Sequence, residues 1–183
     1  TDKILFTLTR ISSRERYKGY DKVLQAMAKI RVKNPAIHYV LAGSYDIEEK
    51  AYIDALVKKR DLTKNISMPG YIPDEEVANH FAIADMYVMP SMKEGFGIVF
   101  IEAMYYGLPV IAGNLDGSVD ALCNGRLGLL VNPFDVNEIQ AAIEKILADR
   151  NAYNPNKELL MKNFSYTTYK NNLENILYAT AHA

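Results

Sequence analysis

Two glutamates and a pair of glycines in one short segment are the first residues able to do chemistry together. Pro90-Ser91-Met92-Lys93-Glu94-Gly95-Phe96-Gly97-Ile98-Val99-Phe100-Ile101-Glu102 sets Gly95 and Gly97 one residue apart at an expected helix start. Glycines there admit close approach to the backbone, and a helix start leaves its first N–H groups free to meet an anion. Glu94 precedes that helix. Glu102 lies four residues after Ile98 on the same face, and helical side chains lean toward the N-terminus, so its carboxylate reaches back toward the same anion. Acceptors on both sides of a phosphate cradle suit a ligand with hydroxyls on both sides of its phosphates, which is the layout of a sugar nucleotide. A capped helix with one acid near its positive end and another on its surface satisfies the same spacing. A second group, Arg10, Arg14, Arg16 and Lys18, follows the first apolar run, with Gly19 opening the next helix. Cations at the carboxyl end of a strand neutralise a diphosphate. Arg14-Glu15-Arg16 reads equally well as a solvated charge run, so Arg10 and Lys18, at the loop's anchored ends, are the stronger candidates.

These loops need a scaffold that gathers strand ends. Strands are expected at 4–8, 37–42, 66–68, 86–89, 108–112 and 128–131, and helices at 19–32, 48–59, 73–84, 97–106 and 135–148. Tyr52, Leu56 and Val57 form the expected buried stripe of the second helix, and Pro69-Gly70 the break after the third strand. Strands separated by helices imply right-handed crossovers and a parallel sheet covered on both faces. The fold class is therefore α/β, a Rossmann-like doubly wound parallel sheet over residues 1–150, followed by a helical tail over 151–183. Ligands bind beyond the carboxyl ends of the strands in such sheets, so the loops after Leu8, Ala42, Met68, Met89 and Ala112 matter most. In the tail, Tyr166, Tyr169, Leu173, Ile176, Leu177 and Tyr178 fall at helical spacing, and docking on the domain's own sheet is the expected use of that stripe.

Composition narrows the partners. The chain has 183 residues with 21 Lys+Arg against 22 Asp+Glu, so no excess of positive charge tracks a nucleic acid. One cysteine, Cys123, makes no internal disulfide and no cysteine-built metal site. His38, His80 and His182 are scattered, and no metal site is expected. No apolar run reaches the ~18 residues that span a bilayer. No signal peptide is visible and the chain opens without Met, so we expect a cytoplasmic protein and a part of something longer. A P-loop is missing, and the turn after the first strand has no Gly-x-Gly, which argues against a dinucleotide oxidoreductase.

Glu94-Gly95-Phe96-Gly97-Ile98-Val99-Phe100-Ile101-Glu102, followed by Ala103-Met104-Tyr105-Tyr106-Gly107-Leu108-Pro109-Val110-Ile111-Ala112, resembles the Glu-x7-Glu signature of family 4 retaining glycosyltransferases. The similarity extends to Lys18-Gly19, Val40-Leu41-Ala42-Gly43, Met68-Pro69-Gly70-Tyr71-Ile72 and Gly128-Leu129-Leu130-Val131-Asn132-Pro133. The resemblance implies the donor-binding, C-terminal half of a GT-B enzyme that moves a hexosyl group from a UDP- or GDP-hexose to a glycan or lipid acceptor, with no metal or other cofactor. It implies that Glu94 contacts the transferred sugar near the reacting centre and that Glu102 accepts hydrogen bonds from the ribose. Gly95, Phe96, Gly97, Ile98 and Val99 would hold sugar and distal phosphate, Arg10 and Lys18 would balance the diphosphate, and Gly43, Tyr71 and Ile72 would line the base pocket. Acceptor contacts, and any peripheral contact with a membrane, would belong to an N-terminal domain outside these residues, leaving this chain alone inactive; the tail over 151–183 would pack toward that domain, with part of its apolar stripe exposed here. Arg10 and Lys18 are eight apart, more than is common in the family, so Arg14 or Arg16 could hold the phosphate instead of Arg10. A non-catalytic nucleotide-sugar-binding module and a GT-B-type sugar-nucleotide epimerase are the other readings.

Overall fold

The computed structural model describes residues 2–181, with side chains through residue 178; His182 lies outside the described residues. Six parallel strands, β1 (Lys3–Leu8), β2 (Ile37–Ala42), β3 (Ile66–Gly70), β4 (Met86–Met89), β5 (Val110–Gly113) and β6 (Leu129–Val131), form one sheet in the order β3-β2-β1-β4-β5-β6. Helices α1 (Tyr20–Ile30), α2 (Ile47–Lys59), α3 (Asp74–Ile83), α4 (Ile98–Tyr105), α5 (Ser118–Ala121), α6 (Val136–Ala148), α7 (Lys157–Phe164) and α8 (Tyr166–Ala181) follow in chain order. The expected α/β class and parallel sheet are both present.

Strand side chains alternate between two cores, as the two-residue period requires. Leu5, Tyr39, Leu41, Met86, Val88 and Ile111 face α1, α2 and α6. Phe6, Tyr87, Met89, Val110 and Ala112 face α3, α4, α5 and α7. The Tyr39 hydroxyl donates to Thr7 Oγ1 at 2.8 Å, and the buried Thr7 hydroxyl donates to the Val88 carbonyl, so a polar chain crosses three adjacent strands.

Three expectations change. The third strand runs on through Pro69 and Gly70, because β3 is an edge strand and proline's missing N–H costs a ladder nothing on its open side. Helix α2 buries Glu49, Ile53 and Val57, while Tyr52 and Leu56 are only partly buried. The tail is two helices broken at Ser165: α7 sinks Leu160 into the second core, whereas the apolar stripe on α8 stays exposed instead of docking on the sheet, with Tyr166 78% and Tyr178 70% accessible.

Candidate functional site

Strands β1 and β4 are neighbours, but the chain leaves them in opposite directions, toward β2 and toward β5. Diverging loops at such a reversal leave a crevice beyond the carboxyl ends of the strands. Here the walls are the loop 9–18 and the loop 90–97. The Met92 N–H donates to the Tyr17 carbonyl at 2.8 Å, tying the walls together. Gly19 has φ 82° and sits where a β-carbon would run into the Pro90 carbonyl, so only glycine lets the loops approach this closely. Across the crevice the Lys18 ammonium pairs with the Glu94 carboxylate, both side chains about one-sixth accessible.

Glu94 is held by its backbone as well. Its N–H donates to Asp116 Oδ2 at 2.6 Å, and its carbonyl accepts the Gly117 N–H at 2.9 Å. Asp116 Oδ1 also accepts the Ser118 N–H at 3.0 Å. The loop after β5 is thus a third wall that orients the glutamate. Asp116 was missed in the sequence, although Asp116-Gly117-Ser118 carries the pattern of an aspartate that caps its own turn.

Behind Glu94 the backbone opens onto α4. Gly97 caps the helix in the left-handed region (φ 87°) with no side-chain cap. Its carbonyl takes the Phe100 N–H, and no hydrogen-bond partner among the described residues meets the N–H groups of Ile98 and Val99. Two open amides at the positive end of a helix are an anion site by geometry and dipole alike. Gly95, Phe96 and Ile98 are exposed and Val99 is half-buried; the Phe96 ring packs edge-on against Phe164 of α7 at 5.8 Å. Ile98 and Glu102, one turn apart, line a groove of about 490 Å³ with Asp74, Val77, Phe81 and Tyr106. The Glu102 carboxylate is exposed and has no hydrogen-bond or ion-pair partner among the described residues. Gly43 meets the end of β3, its N–H donating to the Gly70 carbonyl at 2.8 Å. Tyr71 stands exposed there and Ile72 is buried.

The arginines separate. Arg10 is not joined to the Lys18–Glu94 pair: its guanidinium meets Glu15 at 2.9 Å and is 75% accessible. Arg14 is exposed on the same loop. Arg16 cannot stand in for Arg10, because it is forked onto the fully buried Glu49, with Nε 3.0 and 2.8 Å from the two carboxylate oxygens and Nη2 at 2.7 Å. Its Cζ lies over the Tyr52 ring, 3.9 Å from the ring centroid. The hydrogen bond to Glu49 raises the Arg16 pKa further above its ordinary value. Burial, then the bond to Glu49, pushes the Tyr20 phenol far above its usual range. Glu49 was also missed, yet it lies four residues before Ile53 and eight before Val57, on one stripe.

No group of three or more His, Cys, Asp or Glu side chains that could hold a metal is found among the described residues. His38 meets Ser67 Oγ at 2.8 Å; His80 meets the Glu76 carbonyl at 3.0 Å and stacks on Phe6. No helix among the described residues is long and apolar enough to cross a membrane.

Comparison with known proteins extends this geometry. Among curated proteins, the chain is similar to the GDP-mannose-dependent alpha-(1-6)-phosphatidylinositol monomannoside mannosyltransferase of Mycolicibacterium smegmatis, 29% identical over 153 residues, 80% of this chain and 39% of that protein. It is 31% identical over 139 residues to O-antigen chain mannosyltransferase B of Escherichia coli, 76% of this chain and 36% of that one. Among solved structures, sucrose-phosphate synthase from Thermosynechococcus elongatus superposes with a TM-score of 0.83 at 30% identity, over 98% of this chain and 46% of that one. Anabaena HepE in complex with UDP-glucose superposes with a TM-score of 0.84 at 19% identity, over 98% and 49%. The chain spans under half the length of each. Its sheet matches the C-terminal Rossmann-like domain of GT-B glycosyltransferases. The profile of the family Glycosyl transferases group 1 matches residues 1–168. Because that match takes in every strand of the sheet and both walls of the crevice, the chain belongs to this family of glycosyl transferases.

Proposed function

We propose that this chain is the donor-binding half of a retaining family 4 glycosyltransferase, and that its switch-point crevice takes a nucleoside-diphospho-hexose. The observation that carries the reading is the Lys18–Glu94 pair beside the open amides of Ile98 and Val99. The diphosphate lies on those amides and draws the Lys18 ammonium; the sugar reaches Glu94, whose carboxylate accepts from its hydroxyls. Glu102 takes the ribose hydroxyls from the groove it lines, and the base lies toward Gly43, Tyr71 and Ile72. As the bond from the anomeric carbon to the phosphate oxygen breaks, charge grows on the leaving diphosphate. Preorganised donors stabilise charge as it develops, and Lys18 with the α4 amides supply them. Arg10 joins them by exchanging Glu15 for a phosphate. The acceptor, a glycan or lipid hydroxyl presented by a second domain, attacks the anomeric carbon on the face from which the diphosphate departs, so configuration is retained, and its proton passes to a departing phosphate oxygen; the chain alone therefore binds donor without transferring it. The mannosyl and glucosyl relatives support a hexose; GDP and UDP are both compatible with them.

Calorimetric titration with UDP, GDP, ADP, their hexose conjugates and NAD tests this. One diphosphate series should bind, indifferent to chelator, and Glu102→Ala should weaken it roughly tenfold, the loss of a charge-assisted hydrogen bond or two. Tight NAD binding, or no nucleotide binding by the folded chain, overturns the reading.

A further inference from the structure

Glu49 is a fully buried carboxylate that lies outside the crevice, on the first turn of α2, and the donor-binding reading leaves it without a task. Two groups converge on it. The Arg16 guanidinium grips both its oxygens, the Tyr20 hydroxyl lies 2.9 Å from Oε1, and the same hydroxyl stands 3.2 Å from the Ser12 carbonyl. Beside it, Asp46 caps α2 through the Glu49 N–H at 2.6 Å and takes the Ser13 N–H at 3.2 Å. The first turn of α2 therefore holds the loop 9–18 at Ser13 and Arg16, with Tyr20 beside Ser12. Fold stability alone does not call for this arrangement, since well-packed apolar residues commonly replace a buried ion pair without loss. A forked arginine–carboxylate pair adds direction, because its two parallel bonds admit one orientation.

That direction is passed to Lys18. Arg16, Tyr17 and Lys18 form a single tight turn, in which the Lys18 N–H donates to the Glu15 carbonyl at 2.9 Å and the Gly19 N–H to the Arg16 carbonyl at 3.0 Å. Arg16 is gripped on one side of the turn, and the Tyr17 carbonyl takes the Met92 N–H on the other. With both flanks fixed, the Lys18 side chain leaves the turn toward Glu94.

We infer that Glu49, through Arg16, is a positioning residue for Lys18: from α2 it sets the ammonium where a diphosphate needs it. This rests on the donor-binding reading. The long, charge-rich loop supplies the reason, since without an outside anchor its many conformers would scatter the ammonium.

The test compares the affinity of the full chain for a nucleoside diphosphate with that for the monophosphate of the same nucleoside. The ratio isolates the phosphate that Lys18 meets and is unmoved by a uniform loss of folded protein. The variants are Glu49→Gln, Lys18→Met, the double variant, and Arg16→Lys. Arg16→Lys keeps a cation beside Glu49 and loses the fork, so it remains informative if Glu49→Gln fails to fold. Glu49→Gln should cut the ratio roughly tenfold, the worth of one charge-assisted contact. Lys18→Met should do the same, the double variant should lose no more than Lys18→Met alone, and Arg16→Lys should fall between. Hydrogen exchange on the nucleotide-free protein is the second readout: amides 15–18 should exchange faster in Glu49→Gln and Arg16→Lys, with β1 and β4 unchanged. An unaltered ratio with folded variants, or losses that multiply in the double variant, overturns the inference while leaving donor binding intact. A wild-type chain that binds no nucleotide sinks the donor reading, and the exchange data alone then report whether Glu49 orders the turn; unchanged exchange removes the inference too.

Discussion

Arg10, Arg14 and Arg16 share one loop, and their surroundings divide them by energy. The Arg10–Glu15 pair is solvent-exposed on the arginine side, and such pairs are worth about 0–1 kcal/mol, so Arg10 can leave Glu15 for a phosphate at little cost. Taking Arg16 from Glu49 would strand a buried carboxylate, a loss on the order of 3 kcal/mol or more. The sequence treats these residues alike; only the burial of Glu49, which lies 33 residues from Arg16, tells them apart. Asp116 shows the same gap in legibility. Its type and its Gly-Ser neighbours announce a turn, but not that the turn's second customer is the Glu94 N–H. Replacing it with alanine should strip acceptors from two backbone N–H groups and lower the thermal midpoint by roughly 2–8 °C; on the proposal that Glu94 meets the sugar, it should also weaken nucleotide-sugar binding more than nucleotide binding. Equal losses for sugar-bearing and sugar-free nucleotide in the calorimeter would show that Asp116 does not act through Glu94.

Elements were legible wherever pattern and end signals agreed. Strands β2 and β4 match their expected bounds, and the start of α4 was set by Gly95 and Gly97, whose lack of side chains leaves its amides open. Misreadings came where a residue type argued against its own position. Carboxylates are almost never fully buried unless paired, and the expected stripe of α2, Tyr52-Leu56-Val57, shares only Val57 with the buried set Glu49-Ile53-Val57. Pro69 looked like a strand end, although at a sheet edge it is tolerated. The tail shows a different limit: periodicity reveals an apolar face but not what it meets. Leu160 of α7 is buried against the second core, while Tyr166, Tyr169, Leu173 and Tyr178 of α8 remain exposed. Ending the chain after Ser165 should consequently leave the thermal midpoint within about 3 °C, since both cores persist, and should reduce self-association at high concentration. A cooperative loss of structure on truncation would mean that α8 carries part of the domain's stability.

For the molecule as a whole, alkali is the informative stress. Of 13 tyrosines, Tyr20, Tyr39 and Tyr87 are fully buried, and burial holds all three phenols well above their ordinary values. An unfolded chain ionises tyrosine near pH 10, so the folded form keeps protons that the unfolded form releases. Their contribution is complete below pH 10 and is lost as pH rises beyond it, at up to ~1.4 kcal/mol per tyrosine per pH unit. Unfolding midpoints should fall steeply above pH 10, and phenolate absorbance should show three tyrosines ionising only with loss of structure; reversible ionisation of all 13 in a folded chain would contradict the buried placement. Strand order has a further consequence, in time rather than energy. β1 opens the described chain yet lies mid-sheet, and its second neighbour β4 lies some 80 residues on. At ribosomal rates of ~5–20 residues per second, roughly 4–16 s separate the emergence of the two strands. Throughout that interval one rim of β1 has no partner, and the crevice built between β1 and β4 does not yet exist. A nascent chain paused before Met86 would thus offer chaperones a half-made sheet, and ligand could assist the folding of this domain only after its fourth strand has left the ribosome.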